Sequence, residues 1–324
     1  MSNYQYYEIP VCYMTNGMEL KLPVHEFYGG SGPVVGFTAS IHGDETIGVE
    51  ILRRLTEELK KVKINGTVKI MSVANPLAFE AADRNTPIDK TNMNRIFPGN
   101  YNGSITEIQA RVISDKFLNG LDAYVDVHAG GQDPVVDYVY VINDEEFSRS
   151  FLSKILYRPV QDYIGTSATY TKPSNISTVT VECGGGPNDI YYVEKGVKGL
   201  LNMLKYKKVI EGKAEVRNDQ ILLTHIEHVN PHHGGLFVPS LSYDVMNTVV
   251  EGKVTLGCVY NPMTLELIEE IKAPYEKNLI ILMRGNINRI IPGDFTFMIG
   301  DLNSEVKWWI ILIRKMILSY LSNL

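Results

Sequence analysis

The chain has 324 residues, 44% apolar and 21% charged, which supports a sizeable packed core and excludes an intrinsically disordered chain. A net charge of -6 without any Lys/Arg-rich run argues against nucleic acid and anionic membrane surfaces as partners. Three scattered cysteines, Cys12, Cys183 and Cys258, with no CxxC pair, argue against a disulfide framework or a thiolate zinc site and fit a reducing cytoplasm.

Residues 1–7 lack the basic start and apolar stretch of a signal peptide, so export by that route is not indicated. Gly29-Gly30-Ser31-Gly32 precedes a strand and lacks the Lys-Ser/Thr ending of a phosphate loop, so it reads as a turn. The run Val34-Val35-Gly36-Phe37-Thr38-Ala39 predicts a buried strand, and residues 47–61 carry helical apolar spacing through Ile51, Leu52, Leu55 and Leu59. Residues 67–74 predict a second strand, 110–118 a helix, 123–127 a third strand and 179–181 a fourth. Strands alternating with helices predict a three-layer α/β domain. Beyond about residue 213, short strand-like pieces at 220–224 and 253–257 alternate with Gly/Pro turns and predict a small all-β domain.

The expected division is a catalytic domain over 1–213, whose opening stretch to about residue 25 is free to pack with the C-terminal domain, a β domain over 214–300, and an apolar tail over 301–324. Apolar residues at 309, 312, 313, 316, 317 and 320 give the tail helical spacing, while Arg314 and Lys315 interrupt a run too short to span a membrane.

Ligands of open α/β sheets bind beyond the carboxyl ends of strands, and here each predicted strand runs into polar residues. The first ends in His42-Gly43-Asp44-Glu45, the second in Asn75-Pro76, the third in Asp126-Val127-His128-Ala129-Gly130, and the fourth in Glu182-Cys183-Gly184. His42 and Glu45 alone make a weak metal pair. With His128 they complete the three-ligand set of a catalytic zinc, which keeps a fourth position open for water. Asp126, two residues before His128 on the same strand face, is placed to accept a ligand imidazole N–H, or merely to cap a turn. His225, His228, His232 and His233 read as structural or surface residues, and Cys183 lacks a placed partner for nucleophilic catalysis.

These segments, in this order, resemble the succinylglutamate desuccinylase and aspartoacylase family of zinc deacylases, related to M14 carboxypeptidases. Asn92-Met93-Asn94-Arg95-Ile96-Phe97-Pro98-Gly99 is similar to the family's Asp-Leu-Asn-Arg-x-Phe-Pro-Gly signature, with Asn92 in place of the Asp. Gly234-Gly235-Leu236-Phe237-Val238-Pro239 and Leu256-Gly257-Cys258-Val259 are similar to segments of its C-terminal β-domain. The resemblance implies an α/β/α zinc-carboxypeptidase-like catalytic domain with a mixed sheet, and one Zn2+ per chain on His42, Glu45 and His128. It also implies Glu182 as catalytic carboxylate, Arg84 polarising the scissile carbonyl, and Asn94 and Arg95 holding the substrate carboxylate, with a surface Arg84 paired to Asp83 or Asp89 as the alternative.

The expected activity is hydrolysis of the amide of a small N-acyl amino acid in the cytoplasm. A carboxypeptidase or cell-wall peptide hydrolase is the alternative, and a metal- or carboxylate-binding module without turnover a third reading. Asp133-Pro134-Val135-Val136 is expected to form a pocket wall, and its lack of a basic residue points to acetyl or neutral acyl groups. Homo-oligomerisation stays open.

Overall fold

The computed structural model describes residues 3–187 and 189–306, and the chain divides into two units: Met1–Ser153 with Gln161–Asn218, and Lys154–Val160 with Asp219–Leu324. The first unit opens with an antiparallel pair, β1 (Asn3–Tyr13) and β2 (Glu19–Tyr28). In β2 the buried Leu20, Leu22 and Val24 alternate with more exposed residues, the period of a half-buried strand. The continuous apolar runs become strands covered on both faces: β3 (Val34–Ala39), β4 (Thr67–Met71) and β5 (Ala123–His128). Next come β6 (Pro134–Val141), the short β7 (Ile155–Tyr157) of the second unit, and β8 (Ser177–Gly184). Strand order in the first unit is β1-β2-β4-β3-β5-β8-β6. Its centre, β4-β3-β5-β8, is parallel, and β2 and β6 join it antiparallel, so the sheet is mixed as expected.

Helices cover both faces. α1 (Thr46–Leu59) buries Ile47, Ile51, Leu52, Leu55 and Leu59 and packs with the last helix of the unit, Asp189–Tyr206, while Gly48 lies against Ala39 and Val127. Opposite, a helix over Ile105–Ile113 joins a core of Leu22, Val24, Met71, Phe117 and Tyr124. It begins five residues before the expected start, because Ser104 and Glu107 form a capping box that satisfies its first free N–H groups.

In the second unit, β9 (Ile221–Leu223) pairs in parallel with β7. One antiparallel sheet there contains the strands Val249–Glu251, Lys277–Arg284, Phe297–Asp301 and Ile226–Val229. A separate four-stranded sheet contains Leu267–Lys272, Thr255–Tyr260, Gly235–Pro239 and Asn288–Ile290. Phe237, Leu256, Val259, Ile280, Met283, Phe297 and Ile299 form the core of the unit. The tail expected over 301–324 begins with the end of a strand at Asp301 and a short 3-10 turn, Leu302–Ser304, and from 307 on it lies outside the described residues. Among the described residues no helix is long and apolar enough to cross a membrane.

Candidate active site

The parallel centre of the sheet delivers its strand ends to one place. After β3 the chain turns through Ser40, which adopts a left-handed φ of 55°, into Ile41 and His42. Asn75, fully buried, fastens this loop: its backbone N–H donates to Ser40 O (3.0 Å), and its amide donates to Thr86 Oγ1 (3.0 Å) and Ile41 O (3.4 Å). Its Oδ1 accepts the N–H of Ala78, capping the helix Pro76–Ala81. Gly43 passes so close to that helix that a Cβ would lie 2.0 Å from the Ala78 carbonyl, which explains the glycine between His42 and Glu45. Glu45 stands at the N-cap of α1 yet makes no capping bond, because its carboxylate turns into the site.

There His42, Glu45 and His128, each at most 3% exposed, offer ligand atoms that all lie within 4.8 Å of one another. His42 Nδ1 lies 2.7 Å from Glu45 Oε1, and His128 Nδ1 lies 2.8 Å from Glu45 Oε2, which also accepts the N–H of Ala129 at 3.1 Å. Both outer ring nitrogens have partners. Asn92 Oδ1 lies 3.2 Å from His42 Nε2, and Asp126 Oδ2 lies 2.9 Å from His128 Nε2. Asp126 is completely buried and also accepts from Thr38 Oγ1 (2.7 Å) and Ser167 Oγ (2.6 Å).

This pattern fixes the proton positions and tests whether a metal fits. Asn92 Oδ1 accepts the N–H of Asn94 at 2.9 Å, so oxygen and not NH2 faces His42, and His42 must carry its proton on Nε2. The acceptor Asp126 places a proton on Nε2 of His128 in the same way. His42 Nδ1 is thereby left as a lone pair aimed at the Glu45 carboxylate, and His128 Nδ1 faces the same carboxylate from the other side, an arrangement that a shared cation satisfies. Two imidazoles and one carboxylate suit zinc.

The electrostatics differ between the two rings. Burial pushes His42 below its ordinary pKa and keeps it neutral. Burial also opposes charge on His128, but the Asp126 and Glu45 carboxylates on its two nitrogens outweigh it and raise its pKa well above the usual value. Burial likewise opposes charge on Glu45, yet the two imidazoles outweigh that cost and it ionises well below the ordinary range.

Glu182 sits on β8 directly beside His128 of β5 in parallel register. Burial raises its carboxyl to about 8, with the His128 charge pulling it down and the Glu45 charge adding to the rise. Arg84 Nη1 lies 3.3 Å from His42 Nδ1 and 3.4 Å from Glu45 Oε1, so it reaches the site rather than pairing at the surface. Arg95, in the short turn Met93–Arg95, donates to Asn94 O (2.7 Å) and lies 5.8 Å from the ring centre of Tyr163. Partial withdrawal of its guanidinium from water and the neighbouring Arg84 both lower its pKa, partly offset by Tyr163 and the Glu182 carboxylate. Asn94 is turned inward: Oδ1 accepts the N–H of Ser167 (2.9 Å), and Nδ2 lies 3.1 Å from His128 Nε2. Cys183 is fully buried, its thiol pushed up to about 12 by burial and by the charge of Asp137.

Residues 31–205 match the Succinylglutamate desuccinylase/Aspartoacylase catalytic domain, more than half of the chain. The chain belongs to the succinylglutamate desuccinylase/aspartoacylase family. A relative in this group, the N-alpha-acetyl-L-2,4-diaminobutyric acid deacetylase of Halomonas elongata, is 27% identical over 301 residues, 87% of this chain and 86% of its own. The fold is shared with a product-bound structure of the ectoine utilization protein EutE (DoeB) from Ruegeria pomeroyi. That match has a TM-score of 0.79 and 23% identity, over 92% of this chain and 95% of that one. It is shared equally with an aspartoacylase family protein from Mesorhizobium loti, at TM-score 0.79 and 22% identity, over 95% and 96% of the two chains. Family membership makes the protein a deacylase of the hydrolase class.

The structure thus brings His42, Glu45, His128, Asp126, Asn94, Arg84 and Glu182 to one site, with Arg95 at its edge. Pro134 opens β6 rather than lying in a loop, and Val135 and Val136 are buried in that strand. Asn92, Thr38, Asn75 and Ser167 carry no assigned role in the sequence pattern. For Asn92 a signal exists, an Asn two residues ahead of another polar N–H at a turn start. Ser167 reaches the site from more than forty residues beyond its partner Asp126 and carries no local mark.

Proposed function

We propose that the protein is a zinc-dependent, cytoplasmic deacylase that hydrolyses the amide bond of a small N-acyl amino acid. The observation that carries this reading is the donor set: two Nδ1 atoms and one carboxylate converge, with both Nε2 atoms facing oxygen acceptors on the outer side. The Halomonas relative, named as an acetyl-amino-acid deacetylase, supports the substrate class.

Bound by His42, Glu45 and His128, zinc would supply Lewis acidity, lowering the pKa of water and polarising a carbonyl. The side chains do the rest. Glu182, beside His128 in the neighbouring strand, takes a proton from the attacking water and returns it to the leaving amine. Arg84 donates to the carbonyl oxygen as it gains negative charge. Arg95 pairs with the substrate carboxylate, and Asn94, whose Oδ1 accepts the N–H of Ser167, fixes the turn that carries Arg95. The products are a free carboxylate and an amine.

The test is release of free amine from a panel of N-acetyl, N-succinyl and longer N-acyl amino acids by zinc-loaded protein, with short peptides in parallel. The reading expects turnover of acyl amino acids. Turnover of peptides alone would establish a carboxypeptidase instead, and silence across both with zinc bound would leave a binding module.

A further inference from the structure

His42 and His128 present matching Nδ1 atoms to Glu45, but what stands behind the two rings differs. Behind His128 is a carboxylate, Asp126, at 2.9 Å. Behind His42 is a neutral amide, Asn92, at 3.2 Å, whose oxygen is shared with the N–H of Asn94. We infer that Asn92 is a positioning residue for His42 that makes it the weaker of the two imidazole ligands and so sets how tightly the centre holds its divalent cation.

A carboxylate on the outer N–H draws that proton toward itself and makes the opposite nitrogen a stronger donor to a metal, while fixing the tautomer. An amide oxygen fixes the tautomer equally well but draws the proton less, since charge-assisted hydrogen bonds are roughly twice as strong as neutral ones. Asn92 Oδ1 also divides its acceptance between two donors. Asp126 gathers three donors too, but as a carboxylate it spreads a full charge over two oxygens, where the Asn92 amide has one neutral acceptor. The two imidazoles are therefore held in the same orientation with unequal donor strength.

The inference rests on the zinc reading above, and one set of titrations separates the two. Zinc affinity of the full chain is measured by competition with a chromophoric chelator for wild type, His42→Ala, Asn92→Asp and Asn92→Ala. Asp caps a turn as well as Asn does, so Asn92→Asp changes the charge behind His42 and keeps the local hydrogen bond to Asn94. Asn92→Asp is expected to bind zinc about tenfold tighter and Asn92→Ala about tenfold weaker, at the lower end of the roughly 10–100-fold range of such outer partners. In nitrogen–proton correlation spectra of the zinc-bound protein, His42 should show a proton on Nε2 in wild type and Asn92→Asp, and lose its single tautomer in Asn92→Ala. Equal or weaker binding by a normally folded Asn92→Asp would overturn the inference, and if that variant does not fold, unchanged affinity and tautomer in Asn92→Ala would do the same. Zinc binding by His42→Ala at wild-type affinity, or none by wild type, would take down the zinc reading itself and this inference with it.

Discussion

His42, Glu45 and His128 are at most 3% exposed, whereas Arg84, which approaches the same Glu45 carboxylate, leaves 43% of its side chain in solvent, and Arg95 is exposed. The His42–Glu45–His128 side is fixed by strand ends, a glycine pressed on a helix backbone and a buried network through Asp126, Ser167 and Thr38. The arginine side has long side chains with few bonds, one of them to a neighbouring carbonyl. Under the proposed mechanism the contrast is a division of labour: the atoms that would hold the metal are buried and cross-braced, and those that would meet a substrate are free to adjust.

Substitutions can break this contrast in order of severity. Glu45→Ala removes the carboxylate shared by both imidazoles and should abolish zinc binding and turnover together, read by metal content and amine release. Glu182→Gln should keep zinc yet lower kcat by roughly 10²–10⁴, the usual worth of a positioned acid/base; near-normal kcat with full zinc would remove Glu182 from the proton transfer. Asp126→Asn should weaken zinc binding roughly 10–100-fold, because the brace behind His128 loses its charge. Arg95→Lys should raise KM about tenfold with a smaller change in kcat, since an ammonium cannot form the bidentate pair of a guanidinium.

The smallest effect concerns pH. Glu182 has a folded pKa of about 8 against an ordinary 4.5, so it disfavours the folded state once it must ionise. Its favourable contribution is fully present below about pH 4.5 and is lost as pH rises through about 8. In zinc-stripped protein, Tm should therefore fall over this window relative to Glu182→Gln. Parallel Tm curves would contradict the buried, near-neutral carboxyl.

Much of the metal side is legible in sequence because its residues end continuous apolar runs, and such runs become central parallel strands whose carboxyl ends converge. His128 and Glu182 can be paired from the sequence because each closes a strand. The brace around them is less legible. Thr38 and Tyr124 lie inside apolar runs and read as core, and Ser167 belongs to a five-residue helix far along the chain. Pro134 misleads, since a proline after Asp133 suggests a loop, yet it opens a strand, a position where a missing N–H is tolerated. The β1–β2 pair carries a period-two signal in Leu20, Leu22 and Val24, but only over a few residues of β2, and β1 is mostly exposed and shows none.

Central to the proposed chemistry is that turnover depends on a metal held by His42, Glu45 and His128. Amine release from an N-acetyl amino acid, followed while a chelator strips the protein and zinc is then returned in measured amounts, tests it most directly. Activity should disappear on stripping and return in full at one zinc per chain, with no recovery in Glu45→Ala. Undiminished activity in protein verified to be free of metal would contradict that dependence.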